Sequence, residues 1–537
     1  MEQENIIVLE AAKPKMLSKT ALLIVSNPNH VGKILPSLTK HVNKTLYIQL
    51  LSALSNPFGS FYPNIFDAWP KFTQTISGIY SQTLQYEDLD VRVLLSGLKY
   101  KDMEYIKTRQ PIDLVAFDKY YPEDDIKNFI KNRIQSITDS YSILTSDTGA
   151  FEELIVDPTR DYTVYKHSVL GGTFDRLHVA HKLLLTEAAL RVTEKVTVGV
   201  TVENMLGSKT LWELIEPIEN RIKGVRDFLE DVNPEIIHNI VPISDMYGPA
   251  KDDPTMDVIV VSTETERGGY KVNEMRSNCG LQPLEVAIVD LIQEPNPAEN
   301  EEAKISSSTR RIRTLGKVIQ AITPKEHLRK KPYIIGLTGV VRLFCICSGK
   351  SGVGRRLSEL GAYHIDCDKV AHFVYEPGKP AYDKIVEAFG KGVVAENGEI
   401  NRKEIGAIVF KDSKQLEKLN SIVWPAIVEE IQERIKKCKA EVVVLEAAVL
   451  LGAGWSKYCH EVWTTVIPPD IALHRLQERN KLSAEEAKSR LASQIDNKKY
   501  IEAANVVFYS YWGAEITQKQ VDKAWELLLK RIKYPNK

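Results

Sequence analysis

A chain of 537 residues is too long for one hydrophobic core, and at about 150 residues per domain it is expected to hold three or four. Its 70 Lys and Arg balance 71 Asp and Glu, so it lacks the basic excess of a dedicated polynucleotide binder, which turns the expectation from nucleic acid to small-molecule chemistry. Six cysteines without a C-x-x-C pair, and no apolar run near the ~18 residues of a membrane span, argue against a secreted disulfide framework and a transmembrane segment.

The first residues, MEQENIIVLEAAKPK, are too acidic for a transit peptide. A reducing, cytoplasmic location is expected. Mitochondrial association stays open, because an internal start at Met16 would give the basic, apolar MLSKTALLIV. Up to about residue 155, β-rich runs (LYIQLL, DVRVLLS, IDLVAF, YSILTS) mix with polar helix-prone stretches such as DDIKNFIKNRIQSI, which reads as an α/β unit. NHVGK at 29–33 imitates a phosphate loop but lacks its first glycine and the hydroxyl after Lys33, so a surface turn is expected there. This region shows no catalytic signature, and its role and protein partners are not legible.

From about residue 161, strands KHSVL, KVTVGVT, IIHNIVPI, DVIVVS and LEVAIVDLI alternate with helices VAHKLLLTEAAL and EPIENRIKGVRDFLEDV, the pattern of a parallel sheet with covering helices. A polar loop, EPNPAENEEAK, leads to a helix near ISSSTRRIRTL, and the charged stretch ITPKEHLRKKP reads as a linker. Strand YIIGLTG then restarts the alternation for about 200 residues. There is no short-period repeat and no low-complexity block.

Within the first pattern, GGTFDRLHVAH (Gly171 to His181) puts glycines where a strand turns into a helix, so that backbone can approach a nucleotide closely. His178 and His181, three apart, share a helix face beside free N–H groups and the positive end of the helix dipole, a corner suited to polyphosphate. Two other readings stay open: a zinc pair, which would need a third ligand, and purely structural histidines. The segment resembles the phosphopantetheine adenylyltransferases, whose later serine motif is matched by Ile305-Ser306-Ser307-Ser308-Thr309-Arg310. Lys209, Tyr247-Gly248-Pro249 and Glu264-Thr265-Glu266-Arg267-Gly268-Gly269 resemble the family's elements between the two motifs. The resemblance implies that ATP, with Mg²⁺, sits on Gly171, Gly172, Thr173, Phe174, Arg267, Gly268, Ser306, Ser307 and Ser308, with His178, His181 and Lys209 catalytic. It also implies the reaction: the phosphate of 4′-phosphopantetheine attacks the α-phosphorus of ATP, giving dephospho-coenzyme A and pyrophosphate.

In the second pattern, Gly349-Lys350-Ser351 supplies the end of a phosphate loop, G-x-x-x-x-G-K-[ST], but Phe344 stands where the first glycine belongs and Gly339 lies ten residues back. Removing Val341 to Cys345 would restore GVICSGKS. The strand, the SGKS end, Asp366-Cys367-Asp368 and QERNKLSAEEAKSRLASQ resemble dephospho-coenzyme A kinase. That resemblance implies Asp368 as base or orienting group for the ribose 3′-hydroxyl, Lys350 as a catalytic cation and Ser351 as a Mg²⁺ ligand. It further implies Gly339, Ser348, Gly349 and Ser351 around the phosphates and Arg479 and Arg490 as lid clamps, with Ser483 and Glu486 forming the lid helix's capping box. Glu446 and Gly452 depart from the family, which tends to have Asp and Glu there, and Trp424 before Pro425 reads as a core aromatic.

With both halves in this order, the chain resembles the bifunctional coenzyme A synthases of animals over residues 161–537. The fold expected is α/β and multidomain: an N-terminal α/β domain (1–160), a Rossmann-like nucleotidyltransferase domain (161–322), a linker (323–332) and a P-loop kinase domain (333–537). The partners expected are ATP, 4′-phosphopantetheine and dephospho-coenzyme A. The five-residue insertion keeps a second expectation open, an adenylyltransferase whose impaired kinase domain acts as a binding or scaffold module. A relative of the aminoacyl-tRNA synthetases is disfavoured by the absence of a basic RNA-binding region.

Overall fold

The computed structural model describes residues 6–9, 17–50, 72–95, 105–146, 163–339, 349–409, 411–468, 471 and 497–533. The chain forms two compact units, Met1–Arg310 and Arg311–Lys537, and the architecture is α/β with parallel sheets in both. No helix of the described residues is long and apolar enough to cross a membrane.

The first unit holds two sheets. In the first, β1 (Ile6–Leu9), β2 (Ser18–Val25), β3 (Val42–Leu50), β4 (Asp90–Val93), β5 (Ile112–Phe117) and β6 (Ile137–Ser146) lie in the order β1-β6-β5-β2-β3-β4. All pairings are parallel except β1 with β6. The run ALLIV in β2 is buried throughout, as a central parallel strand covered on both faces requires. Helices α1 (Val31–Leu38), α2 (Phe72–Gln82) and α3 (Glu123–Arg133) connect the strands. Three carboxylates in the first turn of α3 and Lys131 and Arg133 in its last turn match the helix dipole. The helix stops before the β-branched Ile134, which is extended, so the sequence-predicted helix over 124–137 is too long and its last residue opens β6.

NHVGK is not a surface turn. It bends β2 into α1, and His30 is only 5% exposed, because its ring turns inward to the carboxylate of Asp118.

In the second sheet, β7 (Tyr165–Gly172), β8 (Val192–Thr201), β9 (Ile237–Ile243), β10 (Val258–Ser262) and β11 (Glu285–Val289) lie in the order β11-β10-β7-β8-β9, all parallel. Helices α4 (Val179–Leu190), α5 (Ile218–Val232), α6 (Glu266–Asn278) and α7 (Ser307–Thr314) complete the set. Because β7 lies between β8 and β10, the connections leaving the C-terminal ends of β7 and β10 part there, the crevice where open α/β sheets bind ligands. One continuous apolar cluster runs through both sheets, from Leu22 and Tyr47 to Val198 and Phe228.

The second unit is built on β12 (Tyr333–Gly339), β13 (Tyr363–Asp366), β14 (Val442–Glu446), β15 (Glu461–Val466) and β16 (Val506–Tyr509), parallel in the order β13-β14-β12-β15-β16. Its helices are α8 (Lys350–Glu359), α9 (Cys367–Val374), α10 (Pro380–Phe389), α11 (Arg402–Val409), α12 (Ser413–Lys437), α13 (Asn497–Glu502) and α14 (Ala514–Lys533). The chain entering this unit lies along β16: Gly316 N–H donates to Val507 O, and Val318 bridges Val506. Gly316 has φ +74°, and a Cβ there would stand 2.5 Å from Gln520 O, so no other residue fits the turn. Lys325, in the charged stretch after it, donates to the carbonyls of Ser456 and Cys459.

Candidate active sites

At the end of β7 the backbone turns sharply into α4. Phe174 and Arg176 carry φ of 51° and 46°, a left-handed conformation that costs non-glycine residues about 1 kcal/mol or more. The corner is held against that cost. Buried Arg221 donates from Nη1 to the carbonyls of Thr173 (2.8 Å) and Thr201 (3.0 Å) and from Nε to that of Glu216 (2.8 Å). Asp175, fully buried, accepts from Glu216 N–H at 2.9 Å and pairs with Arg176.

On this frame His178 caps α4 in an extended conformation, and its ring stacks on that of His181 with centroids 3.8 Å apart and planes 18° from parallel. The Phe174 ring lies 5.3 Å from His181. A Cβ at Gly172 would press on the Phe174 ring at 3.1 Å and require that ring to shift by a few tenths of an ångström, whereas a Cβ at Gly171 would make only ordinary contacts, the nearest at 3.6 Å. The protein's own packing therefore leaves space above Gly171.

The serine motif reaches this corner from more than a hundred residues away. Ser307 Oγ donates to Asp175 O (3.0 Å) and lies 3.3 Å from His178 Nε2. Ser306 Oγ accepts from Thr309 N–H, capping the first turn of α7, and Ser308 is half-buried on that turn. Lys209 is exposed on the connection after β8, and Arg267 with Gly268 opens α6 after β10, so all three stand at the C-terminal end of the sheet. Asp245 accepts from the N–H groups of Tyr247 and Gly248, fixing the loop after β9. Thus His178, His181 and the serine motif meet directly. Arg221 and Glu216 were missed, because nothing in the spacing of the chain marks an Arg on α5 as the clamp of a turn 48 residues earlier.

The second corner lies between β12 and α8. Gly349 has φ +83°, and a Cβ there would meet Ser510 Oγ at 2.4 Å. Lys350, 6% exposed, points its Nζ at Glu446 Oε1 (3.0 Å), with Asp368 Oδ2 at 3.9 Å. Ser351 Oγ donates to Glu446 Oε1 at 2.6 Å, and His364 Nε2 lies 2.7 Å from Glu446 Oε2. Gly354, one turn along α8, leaves room for this pair, since a Cβ would come within 2.8 Å of both Glu446 Oε2 and His364 Nε2. Gly339, at the end of β12, is buried.

Burial would raise the Glu446 carboxyl, but hydrogen bonds from His364, Ser351 and Lys350, with the Lys350 charge, hold it down at about 2. Asp368 keeps a solvent-facing side chain. Even so, the protein around it displaces enough water to raise its carboxyl above the ordinary value, with Asp366 and Glu446 adding to the rise against the pull of Lys350. Asp366 caps α9 by accepting from the N–H groups of Asp368 and Lys369, which fixes where Asp368 projects. Burial pushes the Cys367 thiol up, so it is not a nucleophile at neutral pH.

Glu446, read from sequence only as a departure, is the hub of this corner. Gly452 sits on the turn after β14, where a Cβ would make only an ordinary contact, 3.8 Å from Val449 O, and Trp424 packs edge-on against Trp455, a structural aromatic. Ser348, the Val341–Cys345 insertion, Arg479, Arg490 and the Ser483–Glu486 box lie outside the described residues. Among the described residues no group of three or more His, Cys, Asp or Glu could hold a metal alone. The Ser351 hydroxyl and the Glu446 carboxylate are hard oxygen donors, a pair that fits Mg²⁺ shared with substrate phosphates rather than a closed protein site.

Comparison with known proteins matches two families in succession along the chain. Residues 333–510 match the dephospho-CoA kinase family, and residues 169–314 match the cytidylyltransferase-like family. The chain is 37% identical to the dephospho-CoA kinase of Carboxydothermus hydrogenoformans over 191 residues, covering 35% of this chain and 90% of that protein. With the enzyme of Moorella thermoacetica the identity is 38% over 204 residues, 37% of this chain and 94% of that protein. The solved dephospho-CoA kinase from Campylobacter jejuni is 25% identical, with 37% of this chain and 98% of that chain covered and a TM-score of 0.27.

Proposed function

This chain belongs to the dephospho-CoA kinase family, and from that premise we propose that it catalyses two consecutive steps, adenylyl transfer to 4′-phosphopantetheine and then phosphorylation of the dephospho-coenzyme A so formed. The observation that carries the reading is the convergence of Lys350, Ser351, Asp368 and Glu446 at a glycine-led helix start, in the unit that follows a cytidylyltransferase-like corner. The first product is the second substrate, which gives the order of the two units a chemical sense.

At the first corner the attacking phosphate arrives already ionised. A bond forms from its oxygen to the α-phosphorus of ATP as the α–β bridge breaks, and pyrophosphate leaves with the electron pair. No base and no covalent intermediate are required, so the residues act by in-line positioning and charge neutralisation. His178 and His181 present their stacked rings at the positive end of α4. Lys209 and Arg267 are exposed cations for the phosphates; Gly171, Gly172, Thr173, Phe174, Gly268, Ser306, Ser307 and Ser308 are the nucleotide's surroundings.

At the second corner Asp368 accepts or orients the ribose 3′-hydroxyl proton as that oxygen bonds the γ-phosphorus and ADP departs. A carboxyl raised above its ordinary value suits that task. Lys350 meets the charge on the transferring phosphoryl group, with Gly339, Ser348 and Gly349 around the phosphates and Arg479 and Arg490 as clamps. Ser351, with Glu446, would hold Mg²⁺, which when bound neutralises phosphate oxygens. The insertion at 341–345 favours the second reading, a kinase domain retained for binding.

The test incubates the full chain with Mg²⁺, ATP and either 4′-phosphopantetheine or dephospho-coenzyme A. Pyrophosphate and dephospho-coenzyme A from the first mixture, and coenzyme A with ADP from the second, are the expected products. Pyrophosphate without any coenzyme A would select the second reading, and undiminished pyrophosphate release by His181→Ala would overturn the first corner's assignment.

A further inference from the structure

The N-terminal sheet repeats the plan of the sheet that follows it. Counted along the chain from β2, the parallel strands β6-β5-β2-β3-β4 run 5-4-1-2-3, and β11-β10-β7-β8-β9 counted from β7 run 5-4-1-2-3 as well. Helix α1 follows the first strand as α4 does, α2 the second as α5 does, and α3 the fourth as α6 does. At the corner after the first strand, Asn29-His30-Val31-Gly32 stands where Leu177-His178-Val179-Ala180 stands, so His30 answers to His178 and Lys33 to His181. The first unit holds two copies of one fold.

The copies differ in what occupies that corner. Seven and six residues before the histidine, Gly171 and Gly172 are replaced by Leu23 and Ile24. The donors of the N-terminal corner are taken internally: Asp118, directly after β5, accepts from Ser26 N–H and Ser26 Oγ (2.7 Å each) and from Asn27 N–H (3.3 Å), and lies 3.1 Å from His30 Nδ1. Gln82 Oε1 accepts from Gly32 N–H at 2.7 Å. A carboxylate of the chain itself thus fills the ring of donors that a helix start offers to a phosphate.

What the N-terminal copy presents instead faces the second copy's corner. Asp90, on β4, bonds Lys182 Nζ, the residue next to His181, and Glu87, on the turn before β4, accepts from Arg310 Nη1 at 2.6 Å. Arg310 closes the serine motif. With His178 it lines a cavity of about 580 Å³ whose other wall includes Tyr86 and Glu87.

We propose that the N-terminal copy is a nucleotidyltransferase fold that has given up nucleotide binding and serves the second copy as a wall of its site, with Glu87 positioning Arg310 for the triphosphate. The inference rests on the adenylyltransferase reading of that site. Glu87 touches no reacting atom and acts through Arg310. A largely exposed ion pair of this kind is worth up to about 1 kcal/mol, or about fivefold in an equilibrium constant.

The test uses the full chain and steady-state pyrophosphate release. Glu87→Ala should raise the KM for ATP about fivefold, with kcat within about twofold and an unchanged Tm, and Glu87→Asp should recover part of the loss. Arg310→Ala should raise the same KM, and the double variant Glu87→Ala/Arg310→Ala should be no worse than Arg310→Ala alone. An unmoved KM in Glu87→Ala, or additive losses in the double variant, overturns the inference while leaving the adenylyltransferase reading intact. A wild-type chain that releases no pyrophosphate overturns that reading, and the inference with it.

Discussion

Three donors converge on the carboxylate of Glu446, and each serves the kinase corner differently: Lys350 brings charge, Ser351 a hydroxyl, His364 an imidazole. Removing the charge while keeping the shape leaves Lys350 buried without its nearest counter-ion, which costs about 3 kcal/mol or more when one partner of a buried pair is lost. Glu446→Gln is therefore expected to reduce coenzyme A formation by about a hundredfold or more and to leave pyrophosphate release unchanged, both read by chromatography of one reaction mixture. A pH dependence follows as well. The folded carboxyl at about 2 lies below its ordinary value of 4.5, so the folded state is favoured above that ordinary value and the advantage disappears as pH falls toward about 2. Urea midpoints between pH 5 and 2 should fall less steeply in Glu446→Gln than in wild type; parallel curves would contradict the assignment. Residues brought together by nearness in sequence, such as His178 with His181 or Gly349 with Lys350, were legible as neighbours from spacing alone. Glu446 and Arg221 were not, because their partners lie 95 and 48 residues away and meet them only through the folded sheet and its helices.

At the level of elements, periodicity identified α4 over Val179–Leu190 with both ends correct, since its apolar run is bounded by a capping histidine and a polar turn. It overshot α3, where helical periodicity ran on into residues that the sheet claims, and it gave no hint that two sheets share one strand order, because that identity lies in pairing and not in residues. Glycines in helices show how context decides sign. Alanine exceeds glycine in a helix interior by about 1 kcal/mol, yet at Gly354 the added carbon would lie 2.8 Å from Glu446 Oε2 and His364 Nε2, and overpacking of that kind costs about 1–3 kcal/mol. Gly354→Ala should lower Tm and coenzyme A formation together. Gly78, exposed on α2, has nothing within 4 Å of the same carbon, so Gly78→Ala should raise stability by about 0.5–1 kcal/mol, measured by urea unfolding. A shared sign for the two substitutions would show that helix propensity, not the contact, governs Gly354.

Across the whole of the first unit, charges are buried in pairs contributed by the two copies. Asp231, at 0% exposure on α5, accepts from Arg92 Nη1 at 2.5 Å, from Tyr47 Oη at 2.9 Å and from Arg109 N–H at 2.7 Å, all from the N-terminal copy. Lys182, 5% exposed, depends in the same way on Asp90. A chain beginning at residue 163 would strip both groups of these partners and uncover the apolar face the copies share, a loss of several kcal/mol against a typical total stability of about 5–15 kcal/mol. Such a truncation is expected to be insoluble or to lack a cooperative thermal transition, although it keeps His178, His181 and the serine motif; a well-folded, active fragment would refute this dependence. The same arrangement bears on how the protein is made. The N-terminal copy leaves the ribosome first, and Arg92, Tyr47 and Asp90 are then already in place when Lys182 and Asp231 emerge. The partners that pair the buried charges of the later half are thus synthesised before those charges, so that a first half folded by then would offer a template for the second.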